Sequence, residues 1–147
     1  MPTYSFLDVT ASIAGPSGSF NLGYGEAVAD EGIVTAMAGD KNTMTVGADG
    51  EGMHSLHADK SGQVTLRYLK TAPVNAKLMA MYDAQTLSSS LHGQNLITIR
   101  NTASGDTTTA RQCAFKKKPD LRYAKDGDIV EWVFDSVKID TILGIYS

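Results

Sequence analysis

Apolar and polar side chains alternate along most of this chain, and the alternation predicts strands. Residues 63–69 place Val64, Leu66 and Tyr68 on one face and Thr65 and Arg67 on the other, the period of a half-buried strand. Residues 4–9 are rich in β-forming types, and the cluster at 14–19 (Ala14, Gly15, Pro16, Ser17, Gly18, Ser19) predicts a turn. Residues 33–37 and 43–46 are two further short runs. Gly39, Asp40, Lys41 and Asn42 between them predict a hairpin turn that joins the two. Residues 95–100 read as a strand, 101–106 as a turn and 107–116 as the returning strand. The last stretch, 128–142, is long and rich in Val, Ile, Trp and Phe.

One segment departs from this period. In residues 71–85, Leu78, Met81, Tyr82 and Gln85 recur at i, i+3, i+4 and i+7, with Met79 beside them, which predicts a helix with a mostly apolar stripe. Thr71 is a candidate cap, and Pro73 suits a first turn, where its missing N–H costs nothing. Ser88, Ser89, Ser90 and Gly93 then stop the helix.

One short helix cannot cover both faces of six or more strands, so the sheet has to close or fold over itself. The expected fold is mainly β: an antiparallel β-barrel or sandwich of six or more strands with one flanking α-helix at about residues 73–86. The length, 147 residues, predicts a single domain over 1–147. Residues 47–62 carry Gly47, Gly50, Gly52 and Gly62 and read as a long glycine-rich loop, a length at which loops are usually functional or disordered.

Charge sharpens this picture. Residues 1–59 hold eight acidic side chains and one basic, a net −7; residues 60–147 hold twelve basic and eight acidic, a net +4. The total of −3 lacks the surplus of Lys and Arg that tight binding to phosphates needs. The asymmetry predicts a subunit with an acidic side and a basic side. No apolar run approaches the ~20 residues that span a bilayer. The first residues lack the basic and apolar regions of a signal peptide, so the chain is expected to be made and kept in a cytoplasm. The single Cys113 has no partner for an internal disulfide and reads as a small buried hydrophobe on a strand.

Searched for chemistry, the sequence offers little. No glycine-rich phosphate loop with its lysine is present, and no Gly-x-Ser-x-Gly elbow. His54, His57 and Asp59 fall within six residues and have metal-ligand chemistry, but the third histidine, His92, is distant and no rigid framework holds the set. Asp49, Gly50, Glu51 and Gly52 lack the alternating carboxylates of a calcium loop. No cofactor, no metal and no catalytic residue are expected.

One stretch carries a resemblance. Ser61-Gly62-Gln63-Val64-Thr65 followed by Leu69-Lys70-Thr71-Ala72-Pro73-Val74-Asn75-Ala76-Lys77-Leu78 resembles the Ser-Gly-x-Val-Thr … Leu-Lys-Thr-Ser-Pro-x-Asn-x-x-Leu pattern of tail tube proteins from contractile-tailed bacteriophages, with Ala72 where that family often has Ser. The opening Tyr4-Ser5-Phe6-Leu7-Asp8-Val9 and the strand-rich end around Trp132 are similar too. The resemblance implies a β-barrel or sandwich with a flanking helix, shared with the inner tubes of type VI secretion systems. It implies hexameric rings stacked into a hollow tube in the virion tail, and a lumen through which DNA passes without specific binding. Its implied partners are further copies of the chain, then tail sheath, baseplate and tail-terminator proteins, with no membrane. It brings no catalytic residues.

On that reading the loop at 47–62 is a contact arm that reaches an adjacent subunit, with Asp49, Glu51, Met53, His54, Leu56, His57 and Asp59 as its contact residues. Lys116, Lys117 and Lys118 are expected to face acidic residues of the first 59 across a ring joint, where opposite charges complement each other. The alternatives are the inner tube of a secretion-type contractile apparatus or another phage structural protein. More remote are a ligand-binding barrel and a metal-dependent enzyme centred on His54 and His57.

Overall fold

A computed structural model describes residues 2–146, the side chain of Glu31 excepted. Nine strands and one helix follow one another among the described residues: β1 (Val9–Gly15), β2 (Gly18–Asn21), β3 (Val28–Met37), β4 (Asn42–Val46), β5 (Gly52–Leu56), β6 (Gly62–Leu69), α1 (Val74–Gln85), β7 (Asn95–Asn101), β8 (Asp106–Phe115) and β9 (Ile129–Ile142). Seven strands form one antiparallel sheet in the order β2-β1-β7-β8-β9-β6-β3. The sheet curls into a half-barrel, so α1 needs to cover only its concave face.

The alternation in residues 63–69 reports burial correctly: Val64, Leu66 and Tyr68 are fully buried, while Thr65 and Arg67 are half-buried. They join Ile13, Ile97, Trp132, Phe134 and the helix residues Val74, Leu78 and Met81 in one core. Phe115 binds this core together through edge-on contacts with Tyr82 and Trp132, at ring-centre distances of 5.6 and 5.8 Å. The buried polar atoms are paired. The Tyr68 hydroxyl donates to the Leu22 carbonyl at 2.7 Å, and the Trp132 indole N–H donates to Asn75 Oδ1 at 3.1 Å. Cys113 is buried on β8, and burial raises its thiol pKa.

Three local expectations are corrected. Strand pairing begins only at Val9, because residues 6–8 form a 3-10 turn that Ser5 caps by accepting the Leu7 N–H at 3.1 Å. The helix occupies the expected place, but Thr71 does not cap it: the N-cap is Pro73, with no side-chain bond. The hairpin expected between residues 33–37 and 43–46 does not form. Instead β3 pairs with β6 from Ile33↔Leu66 to Met37↔Gly62. That choice sets Ile33 against the core beside Leu66; pairing with β4 would have left both strands in water.

The loop expected at 47–62 is also corrected. Only its first residues are a turn. Gly52–Leu56 is a strand, β5, paired antiparallel to β4 from Asn42↔Leu56 to Val46↔Gly52. Gly50, with φ of +91°, supplies the left-handed residue at the tip. Glycine content thus marks a hairpin turn here.

Candidate functional site

The β4–β5 hairpin projects from the sheet as an arm. It leaves after Met37, at the Gly62↔Ser136 end of the β6–β9 ladder. Every residue of β4 and β5 is exposed except Ser55, which is half-buried. Because alternate residues share a face, the register puts Met44, Val46 and Leu56 on one face with Asn42 and His54. Thr43, Thr45, Met53 and Ser55 occupy the other. Met44 is 61% exposed, Met53 60% and Leu56 83%. An isolated two-stranded hairpin is marginally stable in water, and uncovered apolar clusters of this kind mark interaction surfaces.

The two histidines are tied to separate β4 side chains: His54 Nδ1 to Asn42 Nδ2 at 3.1 Å, and His57 Nε2 to Thr43 Oγ1 at 2.7 Å. They brace the arm rather than converge on one point. Among the described residues no three His, Cys, Asp or Glu side chains gather as a metal-binding cluster. At the tip, the Gly47 N–H donates to the Glu51 carbonyl at 2.7 Å, and the Glu51 N–H donates to Asp49 Oδ1 at 3.2 Å. The turn is therefore closed on itself, and the Asp49 and Glu51 carboxylates form no ion pair among the described residues.

The root of the arm is polar and specific. The Ala38 N–H donates to the Ser61 carbonyl at 3.0 Å, and the Ile139 N–H donates to the Lys60 carbonyl at 2.9 Å. Hydrogen bonds from Ser61, first from its hydroxyl and then from its backbone N–H at 2.8 Å, hold the Asp59 carboxyl below the usual range. Asp140 is lowered likewise, mainly by Arg111 and then by Lys60, which lies at 3.6 Å. Beneath the root, β8 and β9 each carry an extra residue between core-facing positions (Ala110 and Cys113; Ser136 and Ile139). Gln112, at φ +53°, takes the strained backbone there.

Lys116, Lys117 and Lys118 follow the end of β8, where the Lys116 N–H donates to the Val133 carbonyl at 2.9 Å, midway along the β6–β9 ladder. They begin the connection from β8 to β9, a strap over residues 116–128 that joins β9 beside Leu69↔Ile129. The strap passes over a cleft of about 350 Å³ lined by Lys117, Pro119, Asp120, Arg122, Ile129 and Val133, among others. Lys70 holds it down: its Nζ donates to the Arg122 carbonyl and sits 3.5 Å from the centre of the Tyr123 ring. The structure therefore brings seven of the expected contact residues, Asp49, Glu51, Met53, His54, Leu56, His57 and Asp59, onto the arm and its root. It separates them from the three lysines. Met44, Val46, Lys70 and Tyr123 were not singled out from the sequence; the alternation of Met44 and Val46 was the available signal.

A larger cleft, about 520 Å³, lies between the start of β3 and the C-terminal segment, lined by Val28, Ile33, Leu143 and Tyr146 among others. Two of its polar groups are engaged: Asp106 accepts the Gly144 N–H at 2.7 Å, and Asn101 donates to the Tyr146 hydroxyl at 2.9 Å. No described helix is long and apolar enough to cross a membrane.

This fold recurs in contractile injection systems. The chain is similar to one in the sheath–tube complex of an extracellular contractile injection system, PVC, in its extended state: TM-score 0.65, 12% identity, covering 97% of this chain and 92% of that one. A chain in the baseplate of the anti-feeding prophage, solved with 6-fold symmetrisation, matches at TM-score 0.64 and 10% identity over 97% of this chain and 96% of that one. No curated protein matches in sequence. The architecture defines the class as a mainly antiparallel β-subunit with one helix. The chain belongs to the family described as Bacteriophage PhiTE tail tube protein, whose profile matches residues 1–144. It is thus a structural tube subunit of a tail or contractile injection apparatus, as the resemblance at residues 60–78 implied.

Proposed function

We propose that the chain assembles into hexameric rings that stack head to tail, forming the conduit through which phage DNA leaves the head. The observation that carries this reading is the polarity of the subunit. The apolar arm leaves one end of the β6–β9 ladder, and the basic strap runs from the ladder's middle, at Val133, to its other end at Ile129. A contact between unlike ends does not close on itself, so it propagates into a filament. The 6-fold symmetry of the anti-feeding prophage baseplate supports six subunits per ring. The relatives from sheath–tube, baseplate and tube-terminator assemblies support the corresponding proteins as partners here. The subunit acts without catalysis, is made in the host cytoplasm and ends in the virion tail. DNA passes without being held, since the chain carries no surplus of positive charge.

The arm residues Asp49, Glu51, Met53, His54, Leu56, His57 and Asp59 form one side of the stacking joint. Lys116, Lys117 and Lys118 form the other. Replacing residues 40–58 with a short glycine linker tests this, because residues 38 and 61 are already hydrogen-bonded neighbours. The variant remains a folded single-domain protein by circular dichroism and forms no tubes under the electron microscope. Normal tubes from that variant would remove the arm from the joint.

A further inference from the structure

We propose that the cleft beneath the strap receives the arm tip of a second copy of this chain, with Lys70 as the latch that sets how far the strap opens. The inference rests on the stacked-tube reading and narrows the basic side of that joint to one cleft and its latch.

Charge matches the two surfaces. The tip, residues 46–52, carries Asp49 and Glu51 and no basic residue, a net −2. The strap, residues 116–128, carries five basic side chains (Lys116, Lys117, Lys118, Arg122 and Lys125) against Asp120, Asp126 and Asp128, a net +2. Lys70 adds one more positive charge at its edge. Within the cleft, two of the three acids are already offset. Glu131 accepts from Arg67 at 3.0 Å, and Asp128 lies 3.6 Å from Arg122. Lys117, on the cleft wall, makes no ion pair among the described residues, so an entering carboxylate meets an uncommitted ammonium.

Shape agrees with charge. The floor of the cleft is Ile129 and Val133, and the tip begins at Val46 and Gly47, so a narrow, glycine-lined turn meets an apolar base between charged walls. A 13-residue connection without secondary structure is long for a compact domain and usually serves a purpose. Tyr123, 83% exposed, rests against Lys70. The Lys70 contact, an exposed cation over a ring, is of a strength that an incoming partner can exchange.

Distance sets the repeat. The eight pairs of the β6–β9 ladder span roughly 24 Å at about 3.4 Å per residue, and the chain from Met37 at the ladder's end to Ala48 at the tip adds at most roughly 37 Å. Tip and cleft of one subunit are thus at most about 60 Å apart along the strands, which bounds the axial rise of the stack.

The test uses the full chain. Asp49 is left in place because it closes the tip turn. Glu51→Lys alone and Lys117→Glu alone each raise the protein concentration needed for stacking by about tenfold, and the two together in one chain restore it. In a second arm, Glu51→Cys with Lys117→Cys is oxidised after assembly. Disulfide-linked ladders of subunits are expected, with the buried Cys113 taking no part. If the single reversals stack like the parent, or the cysteine pair yields no ladders while tubes form, the cleft is not the receiving site and the tube reading stands. If the parent protein forms no rings or tubes at any concentration, the tube reading itself fails.

Discussion

Gln85 and Asn95 bind each other twice. Gln85 Nε2 donates to Asn95 Oδ1 at 2.6 Å, and Asn95 Nδ2 donates to Gln85 Oε1 at 2.7 Å, with both side chains buried. This reciprocal amide pair pins the last turn of α1 to the first residue of β7. Truncating one partner leaves a buried amide without its bonds, which costs about 1–3 kcal/mol. Gln85→Leu and Asn95→Leu are each expected to fall in that range in urea unfolding. The double change is expected to cost clearly less than the two single costs added, because no orphaned amide remains.

The Tyr68 hydroxyl closes the opposite side of the core by donating to the Leu22 carbonyl. Tyr68→Phe removes that bond and is expected to destabilise the fold by about 1–2 kcal/mol, read as a lower thermal midpoint. Burial raises the phenol's pKa above its ordinary value of about 10. Its folded pKa is raised, so this contribution is fully present below about pH 10 and is lost only as pH climbs toward the folded value. Absorbance titration should show one tyrosine that resists ionisation until the protein unfolds.

Acid should loosen the arm's root first. Asp59 and Asp140 both have folded pKa values below the ordinary carboxylate value of about 3.9. For a depressed acid, the stabilisation is present above the unfolded pKa and disappears as pH falls through the folded one. Protection against hydrogen exchange at Ser61 and Ile139, relative to the intrinsic rate at each pH, is therefore expected to fall below about pH 4, before that of the core amides of β6. Asp59→Asn should show fast exchange at Ser61 already at pH 6.

Lys70→Met removes both the bond to the Arg122 carbonyl and the contact with Tyr123 while keeping the side chain's length. Proteolytic cleavage within residues 121–126 should speed up several-fold. The thermal midpoint of the core should barely move, since the strap is exposed and the effect is of the order of 0.5–1 kcal/mol. An unchanged cleavage rate would mean that the strap is held by its backbone instead.

The parts of this fold that were readable in the sequence are those where burial writes a period. Val64, Leu66 and Tyr68 announce β6, and Leu78, Met81 and Gln85 announce α1, because each faces the core. The arm escaped for the converse reason. Met44, Val46, Met53 and Leu56 all lie in water on both faces of a hairpin, so no buried face phases them, and Gly47, Gly50 and Gly52 give the segment the composition of a loop. The pairing of β3 with β6 is a choice between two partners that local pattern cannot rank. It is decided by Ile33 reaching the core. Of the candidate site, Asp49 to Asp59 were legible as one segment from charge and length. Lys70 was not, because its role depends on Tyr123, 53 residues further on and adjacent only in the fold.

The central claim is polar self-assembly, and electron microscopy of the concentrated full-length protein tests it most directly. The account predicts hollow tubes of sixfold rings with an axial repeat of at most about 60 Å. Rings that pair face to face and stop, or a protein that stays monomeric at every concentration and salt condition, would contradict it.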